Sequence, residues 1–341
     1  MEKCKKYSGI GGQAVMEGIM MRNEDRYSVA VRKIDGEIEL MTDDFKPVLG
    51  GTVTKIPFVR GIFVMINSLS LGLKTLSWSA EFFEDEEEDQ KKAEEKKAEE
   101  KSAEEEKTED RKEDGGKASK DKKESDNSLM MALTLVLSFA MSIVIFVLIP
   151  YFISELIRKA TGSRLLPAIA EGVLRLIIFI GYVAAISLME DIKRVYMYHG
   201  AEHKCINCVE RGCELNVKNV MDSSRFHPRC GTSFMLFVMV ISIILFLFIH
   251  TDDRIMRLVI RLLLIPVIAG ISYEVIRLAG STDNFLVRAL SAPGIWLQHL
   301  TTREPDEQMA EVAISAVEAV FDWKTYLSDN FPDSVKQTDQ T

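Results

Sequence analysis

Two short segments carry residue types that bind metal ions. The first motif is His199-Gly-Ala-Glu202-His203, and the second is His227-Pro-Arg-Cys230. Two histidines four positions apart project from the same side of a helix. A glutamate directly before the second histidine is the arrangement of the inverted zincins, in which the histidines bind zinc and the glutamate acts as a base on metal-bound water. The first motif therefore predicts a zinc site with Glu202 as the catalytic base.

The second motif supplies two further ligands. Imidazole and thiolate both bind zinc, so His227 and Cys230 complete a set of four with the two histidines of the first motif. A zinc ion with four protein ligands is closed and structural, whereas a catalytic zinc keeps one position for water. Catalysis by Glu202 thus requires that one of the four stay away from the metal. Three alternatives are open: a catalytic site, a structural site, and a hydrogen-bonded polar cluster without metal.

Three more cysteines follow the first motif: Cys205, Cys208 and Cys213. Together with Cys230 they offer an alternative four-thiolate site, although the first two lie in the same expected helix as His203 and suit a buried apolar face. Cys230 differs because it immediately precedes an apolar helix, whose N-terminus stabilises a thiolate. We expect these thiols to be reduced, since the topology below puts them in the cytoplasm.

Four apolar stretches predict a mainly α-helical integral membrane protein with about four transmembrane helices. They are Leu129–Ile149, Gly172–Leu188, Ser233–Ile249 and Ile255–Ile276. A fifth stretch, Lys55–Phe83, is interrupted by charged and polar residues. Its uninterrupted part is too short to cross a bilayer, so we expect an interfacial or re-entrant helix.

The expected topology places the metal motifs at the cytoplasmic face. The chain begins without the apolar core of a cleavable signal peptide, so we expect the N-terminus to stay in the cytoplasm. Four crossings return the C-terminus to that side and put the loop 191–232 there as well. That loop is richer in lysine and arginine than the loop on the opposite side, as the positive-inside rule requires. The lipid bilayer is then the expected partner.

Composition limits the other partners and outlines the domains. The formal net charge of −9 argues against nucleic acid as a partner. Residues 84–128 are almost entirely charged or small, so we expect a disordered charged linker there. The other expected regions are a β-rich unit in 1–50, the interfacial helix in 51–83, the transmembrane region in 129–290, and a C-terminal cytoplasmic amphipathic helix and tail in 291–341.

The N-terminal unit contains a hairpin signal and a glycine-rich segment. Asp35-Gly36 lies between two strand-like stretches and predicts a two-residue hairpin. Upstream, Gly9–Arg22 does not have the glycine spacing of a phosphate-binding or dinucleotide-binding loop. Three polar side chains of this segment are candidates for a shared accessory site: Gln13, Glu17 and Arg22. A turn followed by an edge strand with solvated charges is the alternative.

Two residues outside these segments are further candidates. Glu274 lies near the end of the fourth apolar stretch, and a carboxylate at that depth is a candidate ligand unless it pairs with Arg277 or Arg194. Arg229, or Arg22 from the N-terminal unit, is a candidate for stabilising negative charge that develops during hydrolysis.

Four motifs occur in order along the chain: Gly-Gly-Gln-Ala-Val-Met-Glu-Gly at 11–18, Tyr-His-Gly-Ala-Glu-His-Lys at 198–204, His-Pro-Arg-Cys-Gly-Thr-Ser-Phe at 227–234 and Leu-Thr-Thr-Arg-Glu-Pro at 300–305. Together they resemble the YqhQ-like family of uncharacterised bacterial polytopic membrane proteins, over a region from about Gly9 to Phe321. That family is sometimes described as predicted metal-dependent enzymes. The resemblance implies a bacterial inner membrane and supports both metal motifs, but it supplies no reaction. Cys205 and Cys213 lie outside the family pattern.

Two functions fit these residues. The first is a zinc-dependent membrane hydrolase in which His199 and His203 bind zinc, the second motif or Glu274 supplies the third ligand, and Glu202 is the general base. The second is a non-catalytic membrane scaffold or regulator with a structural zinc. A metal or ion carrier is a weaker third alternative.

Overall fold

The computed structural model describes residues 6–48, 56–105, 133–134, 136–138, 140–162, 165–249, 251, 253–281 and 284–332. Within these ranges the chain forms two compact units. One contains the residues up to Phe82 and from Ile180 onward, and the other spans Phe83–Phe179. Both metal motifs belong to the first unit.

The N-terminal part of the first unit is a four-stranded antiparallel sheet with its strands in chain order. The strands are β1 (Gly11–Val15), β2 (Gly18–Asn23), β3 (Arg26–Arg32) and β4 (Ile38–Asp44). Two-residue turns join the first three strands, since Val15 pairs with Gly18 and Asn23 pairs with Arg26. The prediction of a small N-terminal β-rich unit is confirmed, and its cytoplasmic location stays a prediction.

The hairpin expected at Asp35-Gly36 is present, but its loop is longer than two residues. Arg32 pairs with Ile38, so the loop comprises residues 33–37. Gly36 has a φ of +87°, a left-handed conformation that glycine adopts without strain. The sequence therefore located the turn correctly and misjudged its length.

The remaining elements of the described chain are helices. They are α1 (Val59–Glu105), a π-helical turn (Val144–Leu148), α2 (Ile149–Thr161), α3 (Leu165–Ile186), α4 (Glu190–Glu210), α5 (Val217–Met221), α6 (Gly231–Leu247), α7 (Arg254–Ser281), α8 (Phe285–Thr301), α9 (Glu307–Glu318) and α10 (Trp323–Asn330).

One hydrophobic core joins N-terminal, central and C-terminal parts of the first unit. The sheet packs on α4, and α9 packs on both, with Tyr198 and Met309 among the fully buried side chains. Ser28 of β3 donates to the Ala316 carbonyl of α9 at 2.6 Å. α9 is the amphipathic helix expected in the C-terminal region, and Asp306 caps it by accepting from the Met309 amide at 2.8 Å.

Four helices among the described residues are long and apolar enough to cross a membrane. They are Val59–Phe83, Val136–Thr161, Leu165–Ile186 and Val259–Ala279. The sequence also predicted four helices of this kind, but they are not the same four. Within the stretch expected to be too short, residues 59–83 form a continuous helix of sufficient length, because the polar residues inside it do not interrupt the backbone. The expected third crossing corresponds to α6, which has only 17 residues.

Residues 84–105, the first part of the expected charged linker, are helical, because α1 continues through this region to Glu105. The segment is rich in glutamate, lysine and alanine, which are strong helix formers. A lack of apolar surface excludes a packed core but does not exclude a helix. Residues 106–128, and the start of the expected span 129–149, lie outside the described residues.

Candidate metal centre

The first motif lies on α4, as its spacing predicts. His199, Glu202 and His203 share one side of this helix, and the Glu202 and His203 side chains are buried. Cys205 and Cys208 lie on the same helix but belong to the hydrophobic core, where burial raises the pKa of both thiols. They therefore behave as small apolar side chains, and the four-thiolate alternative finds no support.

One group of residues in the described part of the chain has the geometry of a metal site: His199, His203 and Cys230. Their ligand atoms all lie within 4.8 Å of one another, and Cys230 Sγ is 3.2 Å from His199 Nε2. Zinc bond lengths and tetrahedral angles separate neighbouring ligand atoms by about 3.5 Å. The group is therefore close to the size that a zinc ion requires.

Backbone carbonyls orient both histidines. His199 Nδ1 lies 2.8 Å from the Thr301 carbonyl oxygen, and His203 Nδ1 lies 2.7 Å from that of Arg225. A carbonyl only accepts hydrogen bonds, so each Nδ1 carries a hydrogen and each Nε2 is the nitrogen available to a metal. Histidines that bind metals in proteins are commonly fixed in this way. The donor set thus fits zinc in its chemistry as well as its size.

The segment that orients His199 depends on a glycine within the first motif. The Arg303 amide donates to the Tyr196 carbonyl at 2.8 Å, which ties the 300–305 segment to α4. A methyl group at Gly200 would lie 2.0 Å from the Arg303 carbonyl oxygen. Glycine at this position therefore allows the backbone that carries the Thr301 carbonyl to approach the helix. The motifs at 198–204 and 300–305 are therefore in direct contact in the fold.

Cys230 caps the N-terminus of α6. Its sulfur accepts from the Thr232 amide at 3.4 Å. Burial opposes ionisation of the thiol, but the His199 and His203 imidazoles outweigh it and hold the Cys230 pKa well below its usual value. For His199, burial lowers the pKa, but the Cys230 sulfur outweighs it and raises that pKa to about 9. The two imidazoles therefore favour the thiolate form of Cys230, the form that binds zinc.

Glu202 contacts the first strand of the sheet. Burial raises its pKa, and the Gly12 amide donates to its carboxylate. A methyl group at Gly12 would lie 3.1 Å from Glu202 Cδ and 2.6 Å from the Met20 carbonyl oxygen. The glycine thus allows β1 to approach the carboxylate closely. The N-terminal motif contributes to the site through its backbone, a role that no side-chain pattern reveals.

His227 lies beside the metal group and is not part of it. Its ring centroid is 5.6 Å from that of His203. Its Nε2 lies 3.6 Å from the Glu210 carboxylate and 3.3 Å from Arg229 Nη2. Gln298 holds its backbone, accepting from the His227 amide at 2.8 Å and donating to its carbonyl at 2.7 Å. The structure therefore groups three of the four expected ligands.

Glu210 and Arg229 form a buried ion pair next to His227. Burial raises the pKa of Glu210, but hydrogen bonding from His227 and the charge of Arg229 outweigh it and lower that pKa to about 2. Glu210 also accepts from the Ser8 amide at 3.0 Å. Sequence reasoning missed Glu210, although its place two turns after His203 on α4 was a usable signal.

Two further side chains of α4 that sequence reasoning missed hold the loop before the second motif. Lys204 Nζ donates to the Met221 and Ser223 carbonyls at 2.7 Å and 2.9 Å. Asn207 Nδ2 donates to the Ser224 carbonyl at 2.6 Å. These bonds bring the second motif over the first. Their acceptors are backbone carbonyls, so a side-chain pattern in the sequence cannot predict these contacts.

The three N-terminal accessory candidates do not converge on one site. Glu17 occupies the turn between β1 and β2, where its carboxylate pairs with Arg194 and accepts from the Tyr198 hydroxyl at 3.3 Å. A side chain at position 72 of α1 would collide with Gln13, so this glutamine lies against that helix. The expectation of a shared site is therefore wrong.

Arg22 and Glu274 also lie outside the metal group. The Arg22 guanidinium stacks over the Phe45 ring at 3.5 Å. Glu274 accepts from Arg60 Nε at 2.7 Å and from the Phe58 amide at 3.2 Å. The charges of both are thus used in contacts of their own, and neither is placed to bind the metal or to stabilise charge beside it.

A cavity of about 120 Å³ adjoins the metal group. Its lining residues are Ile10, Gly11, Gly12, His199, Glu202, His203, Ile206, His227, Arg229, Cys230 and Gly231. A water molecule needs roughly 10–15 Å³ of such space, so several water molecules or a small ligand group fit. The cavity brings the three ligands and the Glu202 carboxyl to a common space.

Comparisons with known proteins show which family the chain belongs to. Residues 56–323 match the family described as "Protein of unknown function (DUF1385)". The chain is 37% identical over 322 residues to the uncharacterized protein YqhQ of Bacillus subtilis (strain 168), and the match covers 93% of each chain. No solved structure matches the chain. The resemblance expected from the four motifs is confirmed, and the chain belongs to the DUF1385 family of proteins of unknown function.

Proposed function

We propose that the chain is a zinc-dependent hydrolase with an unknown substrate. The observation that carries this proposal is a three-ligand group with a carboxyl on the same helix face and a cavity that adjoins both. Three protein ligands leave one position of a tetrahedral zinc free, which is the pattern of catalytic zinc sites.

Each residue of the group has a role in this proposal. His199, His203 and Cys230 hold the metal, and the carbonyl partners of the two histidines keep each Nε2 directed toward it. A bound zinc would supply a Lewis acid and lower the pKa of water. Glu202 serves as general base, and the Gly12 amide fixes the orientation of its carboxylate. Burial raises the pKa of the Glu202 carboxyl, which makes its carboxylate a stronger base than an exposed one.

A structural zinc is the alternative, and one observation favours it. The three ligands connect α4 to Cys230, the residue that caps α6, so a metal here would hold those two helices together. Structural zinc contributes directly to folding stability. In that case Glu202 is dispensable, and the two functions differ in an outcome that can be measured.

We also propose that the chain spans a membrane with the metal site at one face. The sheet, α4 and α9 share one hydrophobic core and so belong on the same side. The chain must then cross an even number of times between β4 and α4. Three of the candidate helices lie in that interval, so at least one of them stays on the side of the sheet.

The contacts of α1 indicate which helix that is. Ser79 Oγ accepts from the Met16 amide at 3.1 Å, and Lys74 Nζ donates to Asp43 at 3.0 Å. These contacts support α1 lying beside the sheet while Val136–Thr161 and Leu165–Ile186 cross. α6 and α7 then form a second pair of crossings. A bacterial inner membrane with both termini in the cytoplasm is the orientation that the basic loop 191–232 favours.

The enzymatic proposal is tested on the full chain purified in detergent. Zinc content and zinc-dependent hydrolysis of p-nitrophenyl acetate, a simple acyl probe, are measured for wild type, Glu202→Gln and His203→Ala. We expect Glu202→Gln to keep its zinc and to lose about 100-fold or more in rate, since removing a general base has effects of this size. We expect His203→Ala to lose zinc and activity together.

Two results contradict the proposal. Glu202→Gln with the activity of wild type assigns the metal to a structural role. Unchanged zinc content in His203→Ala would show that His203 is not a zinc ligand and would contradict the metal site itself.

A further inference from the structure

We propose that Arg229 binds an anionic oxygen group, a carboxylate or a phosphate, of the ligand that enters the metal cavity. The inference rests on the proposed function, because the ligand would occupy the cavity that adjoins the metal site. It adds the class of ligand, which neither metal motif specifies.

The surroundings of Arg229 leave part of its guanidinium without a partner. Nη2 pairs with Glu210 and lies 3.3 Å from His227 Nε2, and the guanidinium stacks over the Tyr7 ring at 4.1 Å. The side chain is 14% exposed. Nη1 is buried and has no hydrogen-bond partner among the described residues. These contacts fix the guanidinium rigidly at the cavity wall and leave one nitrogen to a ligand.

An unpartnered nitrogen of this kind requires an acceptor. A guanidinium nitrogen can only donate, and leaving a buried charged donor unsatisfied is costly. Negatively charged oxygen is the strongest acceptor for a guanidinium, with bonds about twice as strong as those to neutral groups. Arg229 lines the same cavity as the metal ligands, so an oxygen bound to Nη1 belongs to a ligand that reaches the metal group.

The N-terminus of α6 adds a second source of positive potential. Cys230 caps this 17-residue helix, and Gly231 is its first residue. Both line the cavity, and a methyl group at Gly231 would meet nothing within 4 Å. The partial positive charge of a helix N-terminus favours anions. Arg229 and the start of α6 therefore present positive potential to the same space.

The inference is tested by titrating the zinc-loaded full chain with inorganic phosphate and, in a second arm, with acetate. Isothermal titration calorimetry gives the affinities. Arg229→Lys retains a cation for Glu210 and removes Nη1. We expect it to weaken anion binding about 10- to 100-fold, the effect of one lost hydrogen bond to a charged group. Arg211→Gln, an exposed arginine at the end of α4, is the matched control and should bind as wild type does.

A second variant controls for misfolding of Arg229→Lys. Glu210→Gln combined with Arg229→Gln removes both charges of the buried pair, and it should also lose anion binding while retaining zinc. The stronger of the two wild-type affinities distinguishes a phosphate ligand from a carboxylate ligand. Binding of neither anion by wild type, or equal affinities for wild type and Arg229→Lys, overturns the inference. Those results leave the Glu202→Gln and His203→Ala measurements untouched, so failure here is distinguishable from failure of the proposed hydrolase.

Discussion

The polar residues of α4 meet at one point, whereas those of the β1–β2 hairpin separate. His199, Glu202 and His203 face a single cavity. Gln13 lies against α1, and Glu17 pairs with Arg194 on α4. The two groups span comparable lengths of chain, and each contains a glutamate. The difference between them is the geometry of the element that carries them.

A helix repeats its direction every three to four residues, so a spacing of three or four gathers side chains on one side. A strand alternates, and the hairpin therefore distributes its side chains over two faces of the sheet. A methyl group at Gly12 would meet Glu202 on the α4 face, whereas Gln13 lies on the α1 face. The hairpin serves the metal group through backbone approach, and α4 serves it through side chains.

The largest effect is expected from removing a ligand of the convergent group. Cys230→Ser replaces the thiolate, and we expect zinc affinity to fall by more than about 100-fold, because loss of a hydrogen-bond partner behind a metal ligand already costs about 10- to 100-fold. Competition with a chromogenic chelator measures it. Cys213→Ser is the matched control, since Cys213 is outside the metal group. Equal losses in the two variants would show that the group is not a metal site.

The next effect comes from displacing the carbonyl that orients His199. Gly200→Ala places a methyl group 2.0 Å from the Arg303 carbonyl oxygen, so the 300–305 segment must move. We expect zinc affinity to fall by about 10- to 100-fold through loss of the Thr301 contact. The same chelator assay checks it, and unchanged affinity would separate the 300–305 segment from the metal group.

Two neighbouring glycines test the role of the hairpin backbone. A methyl group at Gly12 would lie 2.6 Å from the Met20 carbonyl oxygen, whereas one at Gly11 would meet nothing within 4 Å. We expect Gly12→Ala to lower the free energy of unfolding by about 1–3 kcal/mol, as overpacking does. Gly11→Ala should stay within about 0.5 kcal/mol of wild type. Denaturant unfolding of both variants compares them, and similar values would refute a close approach at Gly12.

The smallest effect is expected from the dispersed group. Glu17→Gln removes the ion pair with Arg194, whose side chain is 54% exposed. Pairs of this exposure contribute about 0.5–1 kcal/mol, so we expect a slightly lower unfolding temperature. Zinc affinity should not change, because Glu17 is outside the metal group. A zinc loss like that of Cys230→Ser would place the hairpin side chains in the site after all.

Local sequence patterns predicted the secondary-structure elements of this molecule well. The details of the site could not be predicted, because they depend on contacts between residues distant in sequence. The spacing of His199 and His203 predicted their shared helix face, and the amphipathic helix expected within 291–341 is present as α9. The choice of Cys230 over His227 as a ligand depends on Glu210 and Gln298, which are distant in sequence. The carbonyls of Thr301 and Arg225 are invisible to any side-chain pattern. The helix at residues 59–83 is longer than the uninterrupted apolar run predicted, because helix continuity depends on the backbone and not on the charges along it.

The shared core of the first unit has a consequence for biosynthesis. Gly12 reaches Glu202 from one end of the chain, and Thr301 reaches His199 from the other. A nascent chain that has emerged only through α4 holds both histidines without the acceptor that orients His199 and without the thiolate of Cys230. The ribosome must therefore complete α8, whose last residue is Thr301, before all the contacts of this three-residue group can form.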